Sequence, residues 1–448
     1  MDLLIAFLLF LAVMIAAILK GFTMTIALLV GLVGFTLVGM RRGYSLKELC
    51  RMGSVGAKDS IIVIEVMAII GLITAVWRVS GTITIFIYYG IKFITPSLFL
   101  LIAFLLSCLL SYAIGTSFGV AGTVGVIFMA LARSGGVDPI LTAGVLMSGV
   151  YFGDRGSPIS SSANMVAGIT KTQIMTNVRL MMRTGLLPLL ITAGIYTALS
   201  VTHPIEAVDP EIVAAFEEEF SLSLWAFVPA VLMLLLPLLK VGVLLSIGIS
   251  IVSAVLVAWL VQGVPLLHVL GICILGYHSS GEGLGAILDG GGLVSMLEIA
   301  GILVISCAYS GIFSGTDMLR EIQNPLLRGC QRFGRYVMTL AVGIMSSVVF
   351  CNQTIASLMC NDLMTEPYLQ SGGTRQELAI DIENTLIVLV GLIPWCIACS
   401  VPLKFFGVGI GAIPYAFYLY IVPLCYLFTK RRWFTDRGGD EKNENSGK

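Results

Sequence analysis

Long apolar runs, separated by short polar segments, recur along the whole chain and predict a bundle of membrane-spanning helices. Each of the longest runs can cross a hydrocarbon core about 30 Å thick. These runs cover residues 3–19, 22–40, 61–77, 186–201, 241–261 and 412–428. With the shorter runs included, we expect roughly 11 to 13 membrane segments in an all-α polytopic membrane protein. A single transmembrane domain over residues 1–432 accommodates them.

One stretch breaks this pattern, because residues 153–164 read GDRGSPISSSAN inside the apolar chain. Lipid cannot hydrogen-bond a carboxylate, a guanidinium, several hydroxyls and an unwound backbone. Such a stretch lies at membrane depth only where it is buried in protein or lines a wet cavity. It is therefore a candidate ion or substrate site.

Composition narrows the class of protein further. Of the 448 residues, 57% are hydrophobic and 12% are charged, and the net charge is zero. A soluble domain has about 25% charged residues, so a soluble fold is excluded, and the neutral balance implies no nucleic-acid partner. No basic residue precedes the first apolar run, which is expected to be the first helix rather than a cleaved signal peptide. Cys396 and Cys399 form a CxxC on an apolar helix, a setting that favours packing over metal binding.

Basic residues cluster in four polar segments, which the positive-inside rule places in the cytoplasm. They are Arg41, Arg42, Lys47, Arg51 and Lys58; Lys171, Arg179 and Arg183; Arg320, Arg328, Arg332 and Arg335; and Lys430, Arg431 and Arg432. Both termini are then cytoplasmic, and the polar tail over residues 433–448 is expected to be disordered. The acidic segment 202–225 lacks Lys and Arg, so we place it outside. Within it, Asp209 and Pro210 predict the start of a short surface helix over residues 211–220.

Two parts of the chain share the same order of polar features, which indicates an internal duplication. In each part a polar block is followed by a Ser-Gly-Gly triplet and then by a proline. The blocks are residues 115–119, 134–136 and Pro158 in the first part, and residues 350–354, 371–373 and Pro394 in the second. The last glycine of the triplet precedes the proline by 22 residues in one part and by 21 in the other. Thr116 precedes Gly136 by 20 residues and Thr354 precedes Gly373 by 19, which pairs the two threonines. Secondary transporters are often built from two inverted repeats with discontinuous or re-entrant helices. We therefore expect repeat one at about residues 60–200 and repeat two at about 295–428.

Asp154 is the strongest candidate for an ion ligand in the first part. It follows an apolar run and stands beside hydroxyl and amide side chains, so it could carry a proton or release it to bind Na⁺. The neighbouring candidate ligands are Ser157, Ser160, Ser161, Ser162, Asn164, Thr116 and Ser117. The alternative is a salt bridge from Asp154 to Arg155 or to another arginine, which would only hold the break in place.

The second part offers a matching set of candidates. Asn352, Gln353 and Thr354 form a polar break between apolar runs; they suit cation ligation, or hydrogen bonding between helices. Asp381, Glu383, Asn384 and Thr385 begin the run that ends at Pro394. These acids either belong to the site or cap the amino terminus of a helix, where its dipole favours them. Glu65 interrupts an apolar helix and is an auxiliary candidate, with a structural pair to Lys or Arg as the alternative.

These residues resemble the NhaC family of sodium/proton antiporters. The resemblance is carried by IGTSFGVAGTVGVIFM, by SGVYFGDRGSPISSSANMVAGITKT, by FCNQTIASLM and by a late LIPW. It covers most of the chain and implies an ion-coupled transporter with inverted repeats. The chain departs from the family's acid-Ser-Gly-Thr run, since Glu383-Asn384-Thr385 stands there. The family also includes exchangers of organic acids such as malate and lactate.

The sequence therefore predicts a secondary antiporter of the cytoplasmic membrane rather than an enzyme. It would exchange Na⁺ for H⁺ by alternating access, with Na⁺ held at Asp154 and neighbouring oxygens, and it would need no cofactor. The alternative is a Na⁺- or H⁺-coupled carrier of a small organic anion or amine, with Arg155 as the anchor of a carboxylate. The sequence leaves a homodimer open.

Overall fold

The computed structural model describes residues 2–20, 24–93, 96–204, 210–239, 241–279, 284–316 and 323–434. In these ranges the chain forms helices joined by short turns, and one isolated bridge between Tyr277 and Gly290 is the nearest approach to a strand. The predicted all-α architecture is confirmed. Glu206, Asp209, Arg320 and residues 435–448 of the predicted tail lie outside the described residues.

Among the described residues up to 204 the chain forms ten α-helices, and a π-helical turn at Ala121–Gly125 connects two of them. They are α1 (Asp2–Lys20), α2 (Met24–Arg41), α3 (Leu46–Val79), α4 (Thr82–Phe93), α5 (Phe99–Ile114), α6 (Ser117–Val120), α7 (Val126–Ser134), α8 (Pro139–Gly156), α9 (Ser161–Thr170) and α10 (Ile174–Thr202).

The second half begins with the predicted surface helix, which the structure confirms as α11, and ends with a helix that includes the first two residues of the predicted tail. Its helices are α11 (Pro210–Glu219), α12 (Val228–Leu238), α13 (Val243–Leu260), α14 (Leu266–Leu275), α15 (Gly285–Leu288), α16 (Leu297–Thr316), α17 (Gln323–Phe333), α18 (Arg335–Phe350), α19 (Gln353–Gln370), α20 (Arg375–Asn384), α21 (Leu386–Leu389), α22 (Ile397–Phe406) and α23 (Phe417–Phe434).

Several of these helices have the length and hydropathy of membrane spans. Four described helices qualify alone, and six qualify if each of two bent pairs is one span. The pairs are bent by 62° between residues 79 and 82 and by 50° between residues 392 and 397. Six shorter apolar helices of 10–17 residues accompany them. These spans and bent pairs agree with the multi-pass membrane protein with discontinuous helices that the sequence predicts.

Two segments of the fold have the same helix boundaries. The first unit, residues 99–170, contains α5 to α9, and the second unit, residues 335–406, contains α18 to α22. After a shift of 236 residues, α5 coincides with α18, as Phe99 and Arg335 illustrate, and α9 coincides with α22. The continuous α19 corresponds to α6, the π-helical turn and α7 together, and α8 corresponds to α20, α21 and a following 3-10 turn together.

The same offset applies to the turns. A residue with positive φ follows the first helix in each unit, at Gly115 (φ 75°) and Cys351 (φ 54°). This structural register differs slightly from the sequence comparison, because Thr116 corresponds to Asn352 rather than Thr354 and Gly136 to Gly372 rather than Gly373. We propose that the two units are the predicted repeats, and their inverted relation stays a prediction.

Close packing between α5 and α8 fixes the position of the first break. A Cβ atom added at Gly153 would lie 2.0 Å from the backbone of Ser111, and one at Gly149 would lie 2.4 Å from the Ser107 side chain. Only glycine permits this approach. The carboxyl end of α8, which carries Asp154, is therefore held directly against the end of α5.

Candidate ion-binding site

Asp154 lies in the last turn of α8 and joins the two units. Its side chain is buried, with 3% of the residue exposed. The Ser162 hydroxyl donates toward both carboxylate oxygens at 3.1 Å, and Gln353 Nε2 donates to Oδ2 at 3.0 Å. Ser117, the first residue of α6, lines the same cavity as this carboxylate. Asp154 is therefore hydrogen-bonded by side chains from α9 and α19, each at the start of its helix.

The first break is built by its serines. Helix α8 ends at Gly156, and Ser157 takes extended backbone angles while its hydroxyl donates to the Tyr112 carbonyl at 2.7 Å. Ser160 caps α9 by accepting from the amides of Ser162 and Ala163, and its hydroxyl donates to the Asp154 carbonyl at 2.5 Å. This cap satisfies amides that the new helix would otherwise leave free. It also places Ser162, two residues after the cap, against the carboxylate.

The second break uses an asparagine for the same purpose. Asn352 Oδ1 accepts from the amides of Thr354 at 2.9 Å and Ile355 at 3.3 Å, which starts α19. Gln353 is then the first residue of that helix and points its amide at Asp154. The oxygen of Asn352 is occupied by the cap, so Gln353 makes the contact with the carboxylate.

A cavity of about 370 Å³ lies between the two breaks. Eight predicted site residues line it: Thr116, Ser117, Asp154, Ser161, Ser162, Asn352, Gln353 and Thr354. The amino ends of α6, α9, α19 and α22 border the cavity. Their partial positive charges stabilise an ionised carboxylate at Asp154. The structure thus brings the polar blocks of both units to one place.

Three other predicted ligands support the break instead of lining the cavity. Ser157 and Ser160 hold the backbone as described above. Asn164 Nδ2 donates to the carbonyls of Pro158 at 2.9 Å and Ser160 at 2.7 Å. The side chains of these three residues hydrogen-bond to the backbone of the break, so they hold its conformation and do not contact a bound ion.

Arg155 is fully buried and turns away from the cavity. Its Nη1 donates to Asn384 Oδ1, and its Nη2 donates to the Met181 carbonyl at 2.5 Å. No ion pair joins it to Asp154 in the described ranges. The salt bridge between Asp154 and Arg155 that the sequence left open is therefore not formed. The Arg155 guanidinium does not reach into the cavity either.

Asp381 belongs to a separate cluster. Lys430 Nζ and the hydroxyls of Tyr368 and Tyr426 donate to its carboxylate at 2.5, 2.6 and 3.2 Å. Thr385 donates to the Asp381 carbonyl at 2.6 Å. The alternative role of capping a helix amino terminus is wrong for Asp381, because Thr374 and Glu377 form the capping box of α20.

Glu383 and Glu65 have contrasting surroundings. Glu383 is fully buried, and neither of its carboxylate oxygens has a hydrogen-bond partner among the described residues. Glu65 is exposed on α3, beside Val66, which lines the cavity. Within the described ranges Glu65 makes no ion pair, so the structural pair proposed as its alternative is absent there.

The sequence did not indicate which apolar residues line the cavity. Val66 and Ile70 of α3 and Val243, Leu244 and Ile247 of α13 form one part of the apolar lining. These residues lie inside uniform apolar runs, where nothing distinguishes a cavity wall from a lipid-facing surface. Their positions follow only from the packing of α3 and α13 against each other.

Broken helices whose ends enclose a buried carboxylate define the class of secondary transporters. The chain belongs to the Na⁺/H⁺ antiporter family, whose model matches residues 2–163 and 149–428. The resemblance to NhaC proteins is confirmed by curated relatives. The Na(+)/H(+) antiporter NhaC of Alkalihalophilus pseudofirmus is 26% identical over 82% of this chain and 81% of its own length.

Other relatives are named as antiporters of organic solutes. The Malate-2H(+)/Na(+)-lactate antiporter of Bacillus subtilis is 27% identical over 80% of this chain and 78% of its own length. The arginine/ornithine antiporter ArcD of Halobacterium salinarum is 27% identical, over 79% and 75% respectively. The family is thus one of antiporters whose cargo differs between members.

Proposed function

We propose that this protein exchanges Na⁺ for H⁺ across the cytoplasmic membrane. The observation that carries the proposal is the buried Asp154 carboxylate, bonded by Ser162 from one break and by Gln353 from the other. Membership of the Na⁺/H⁺ antiporter family and the NhaC relatives support it. A carboxylate with hydroxyl and amide neighbours is the kind of site that hard cations prefer.

The site binds Na⁺ through a small rearrangement of groups already in contact. Turning the Gln353 amide presents Oε1 instead of Nε2, and turning the Ser162 hydroxyl presents its lone pairs. Together with a carboxylate oxygen these supply oxygen ligands from both units. A proton competes with Na⁺ for the same carboxylate, since protonation removes the negative charge that holds the cation.

Alternating access then exposes the loaded site to one face of the membrane at a time. The distribution of the basic clusters supports a cytoplasmic position of both termini. The two units, which meet at Asp154, are the bodies that move relative to each other. Asp381, Asn384 and Thr385 support the second unit, and Arg155 links it to α10.

A second candidate function is supported by the size of the cavity. At about 370 Å³ the cavity is larger than a bare Na⁺ needs and falls at the lower end of small-molecule sites, about 300–1,000 Å³. The malate/lactate relative agrees with an organic anion as cargo. Arg155 does not line this cavity, so the anchor of such an anion would be the helix amino ends that do.

Purified protein in liposomes tests both functions. Wild-type protein is expected to move protons when a Na⁺ gradient is imposed, as reported by an internal pH dye, and Asp154→Asn is expected to abolish this movement while keeping its folded elution profile. Parallel vesicles receive labelled lactate or malate. If the wild type takes up an organic acid and a Na⁺ gradient alone moves no protons, transport of an organic anion becomes the preferred function over Na⁺/H⁺ exchange. Unchanged exchange in Asp154→Asn would remove this carboxylate from the ion site.

A further inference from the structure

A second cavity, of about 500 Å³, lies at the end of the bundle where two of the predicted cytoplasmic segments meet. Helices α17, α18, α20 and α23 and the turn after α19 border it, and its described lining shares no residue with the ion cavity. Three cationic side chains line it, those of Arg335, Lys430 and Arg431. Glu377 is the only acid among the described residues of the lining, so the lining has a net charge of two positive units. A surface of this sign indicates an anionic ligand.

The hydrogen bonds of these cations leave donors for a ligand. Arg335 donates to a backbone carbonyl at 2.9 Å and pairs with Glu377 at 3.2 Å, and its Nε has no partner among the described residues. Lys430 Nζ donates to Asp381 at 2.5 Å and to a tyrosine hydroxyl at 2.8 Å, which leaves one of its three N–H groups. Even with the buried Asp381 counted against Lys430, this group of three cations and two acids keeps one positive charge. An anion with a single charge would neutralise it.

The amino end of α18 adds backbone donors to these cations. Gly334 precedes the helix and, as a glycine, has no side chain to cap it. Residues 335–337 form the first turn and all line the cavity, so amides that a helix leaves without an internal acceptor lie at its wall. The amino end of such a 16-residue helix is partially positive and favours phosphate oxygens. Arginine and lysine bind the same oxygens through charge-assisted hydrogen bonds, so amides and cations together make a phosphate site.

The position of the cavity at the membrane surface indicates a lipid rather than a free phosphate ion. Helix α17, which borders it, is amphipathic, because Leu326 and Cys330 are buried whereas Arg328 and Arg332 are exposed. Helices of this kind lie in the interface between headgroups and acyl chains. Trp433, at the end of α23, is a residue type that is enriched at the same depth. The cavity is therefore expected at the level of the lipid phosphates.

We propose that this cavity binds the phosphate group of an anionic phospholipid. Its open side supports this occupant, since Val337 and Leu427 line it and leave 38% and 41% of their surface exposed, where acyl chains can pack along them. Basic pockets between membrane helices on the cytoplasmic side bind such headgroups. The bound lipid joins α18 and α23 through Arg335 and Lys430, whose acid partners lie on α20, and so stabilises this end of the second unit. The site is separate from the ion cavity, and the inference does not depend on the cargo.

Lipid binding by the purified protein in an uncharged detergent tests this site. Native mass spectrometry is expected to show one phosphatidylglycerol per chain, bound about tenfold more tightly than phosphatidylcholine, whose phosphate carries no net headgroup charge. Inorganic phosphate at the same concentration is expected to displace little of this lipid. Arg431→Glu is expected to weaken phosphatidylglycerol binding by at least about tenfold, because a cation of the lining becomes an anion. Arg432→Glu, at the exposed neighbour outside the lining, is the matched control and should stay within about twofold of the wild type.

Each result decides the proposal. Equal binding of phosphatidylglycerol and phosphatidylcholine overturns it, because the cavity then does not recognise an anion. Displacement of the lipid by inorganic phosphate at equal concentration also overturns it, since the site would be one for the free ion. Equal weakening in Arg431→Glu and Arg432→Glu would mean that the lipid binds the charged surface in general, and this cavity would lose its role. If Arg431→Glu does not fold, Val337→Glu places an acid at the open side of the same cavity and should weaken binding as strongly; unchanged binding there contradicts the proposal.

Discussion

The first and second units have the same backbone plan and different chemistry. At the offset of 236 residues, Asp154 corresponds to Val390, Arg155 to Gly391 and Ser162 to Ala398. Both units nevertheless break their helices at the same points, with a left-handed residue followed by an extended cap. The broken backbone therefore does not need the charges. The burial of Asp154 has a cost in free energy, which makes this residue the functional candidate of the pair.

The units also differ in how their helices pack. In the first unit α5 packs along the whole of α8, whereas in the second α18 packs mainly along α19. The helix that corresponds to α8 is interrupted at Thr385, whose φ of −122° and ψ of −82° are not helical. One plan thus occurs in two conformations. In transporters built from inverted repeats, alternating access is largely a movement of one repeat against the other, and a difference in conformation between the repeats agrees with such a movement.

The largest effect is expected where the chemistry of the units diverges most. Asp154→Asn removes the charge that holds Na⁺ and should reduce Na⁺-driven proton movement below detection. Val390→Ala alters the equivalent position of the second unit and should cost about 1–3 kcal/mol of stability without loss of transport. The measurement is exchange per folded molecule in liposomes. Loss of transport in both variants would indicate that the equivalent positions matter for the break rather than for the ion.

Much of this fold could be predicted from the sequence because its signals are local. Apolar runs indicate spans, and Gly115, Ser160 and Asn352 mark breaks by the conformations and caps they favour. The polar block around Asp154 stands out because its neighbours are apolar. These features need no knowledge of which helices meet.

The pairings could not be predicted, since they depend on contacts between distant residues. Gln353 reaches Asp154 across 199 positions, and Lys430 reaches Asp381 across 49. Pairing Thr116 with Thr354 on residue identity places the two parts up to two residues away from the structural register. In the structure the capping positions Thr116 and Asn352 correspond to each other. Cap position, rather than residue identity, is what the two breaks share.

The ion pairs between the second unit and its neighbouring helices are expected to stabilise the fold rather than to transport ions. Lys430→Met leaves Asp381 buried without its cation and should cost about 3–5 kcal/mol. Lys404→Met breaks an exposed pair with Glu298 at 3.7 Å and should cost under about 1 kcal/mol. Unfolding in detergent measures both. Transport by the Lys430 variant that remains folded should stay near the wild type, and its loss would place this cluster in the transport path.

The close contact of α5 with α8 is expected to be peculiar to the first unit, since the position equivalent to Gly153 is Leu389. Gly153→Ala forces a methyl group into the backbone of Ser111 and should cost about 1–3 kcal/mol or more. Gly168, on α9, has open space around it, so Gly168→Ala should be neutral or stabilise by up to about 1 kcal/mol. A tolerated Gly153→Ala would mean that the two helices are free to separate.

The smallest effect concerns the single side chain by which the second unit contacts the carboxylate. Gln353→Ala removes one hydrogen bond of about 0.5–1.5 kcal/mol, so the Na⁺ concentration for half-maximal exchange should rise by up to about tenfold. The maximal rate should change little, because Asp154 and Ser162 remain. Gln370→Ala, at the exposed far end of the same helix, should leave both values unchanged. If Gln353→Ala instead lowers the maximal rate at unchanged Na⁺ affinity, the contact serves the movement of the second unit against the first rather than the binding of the ion.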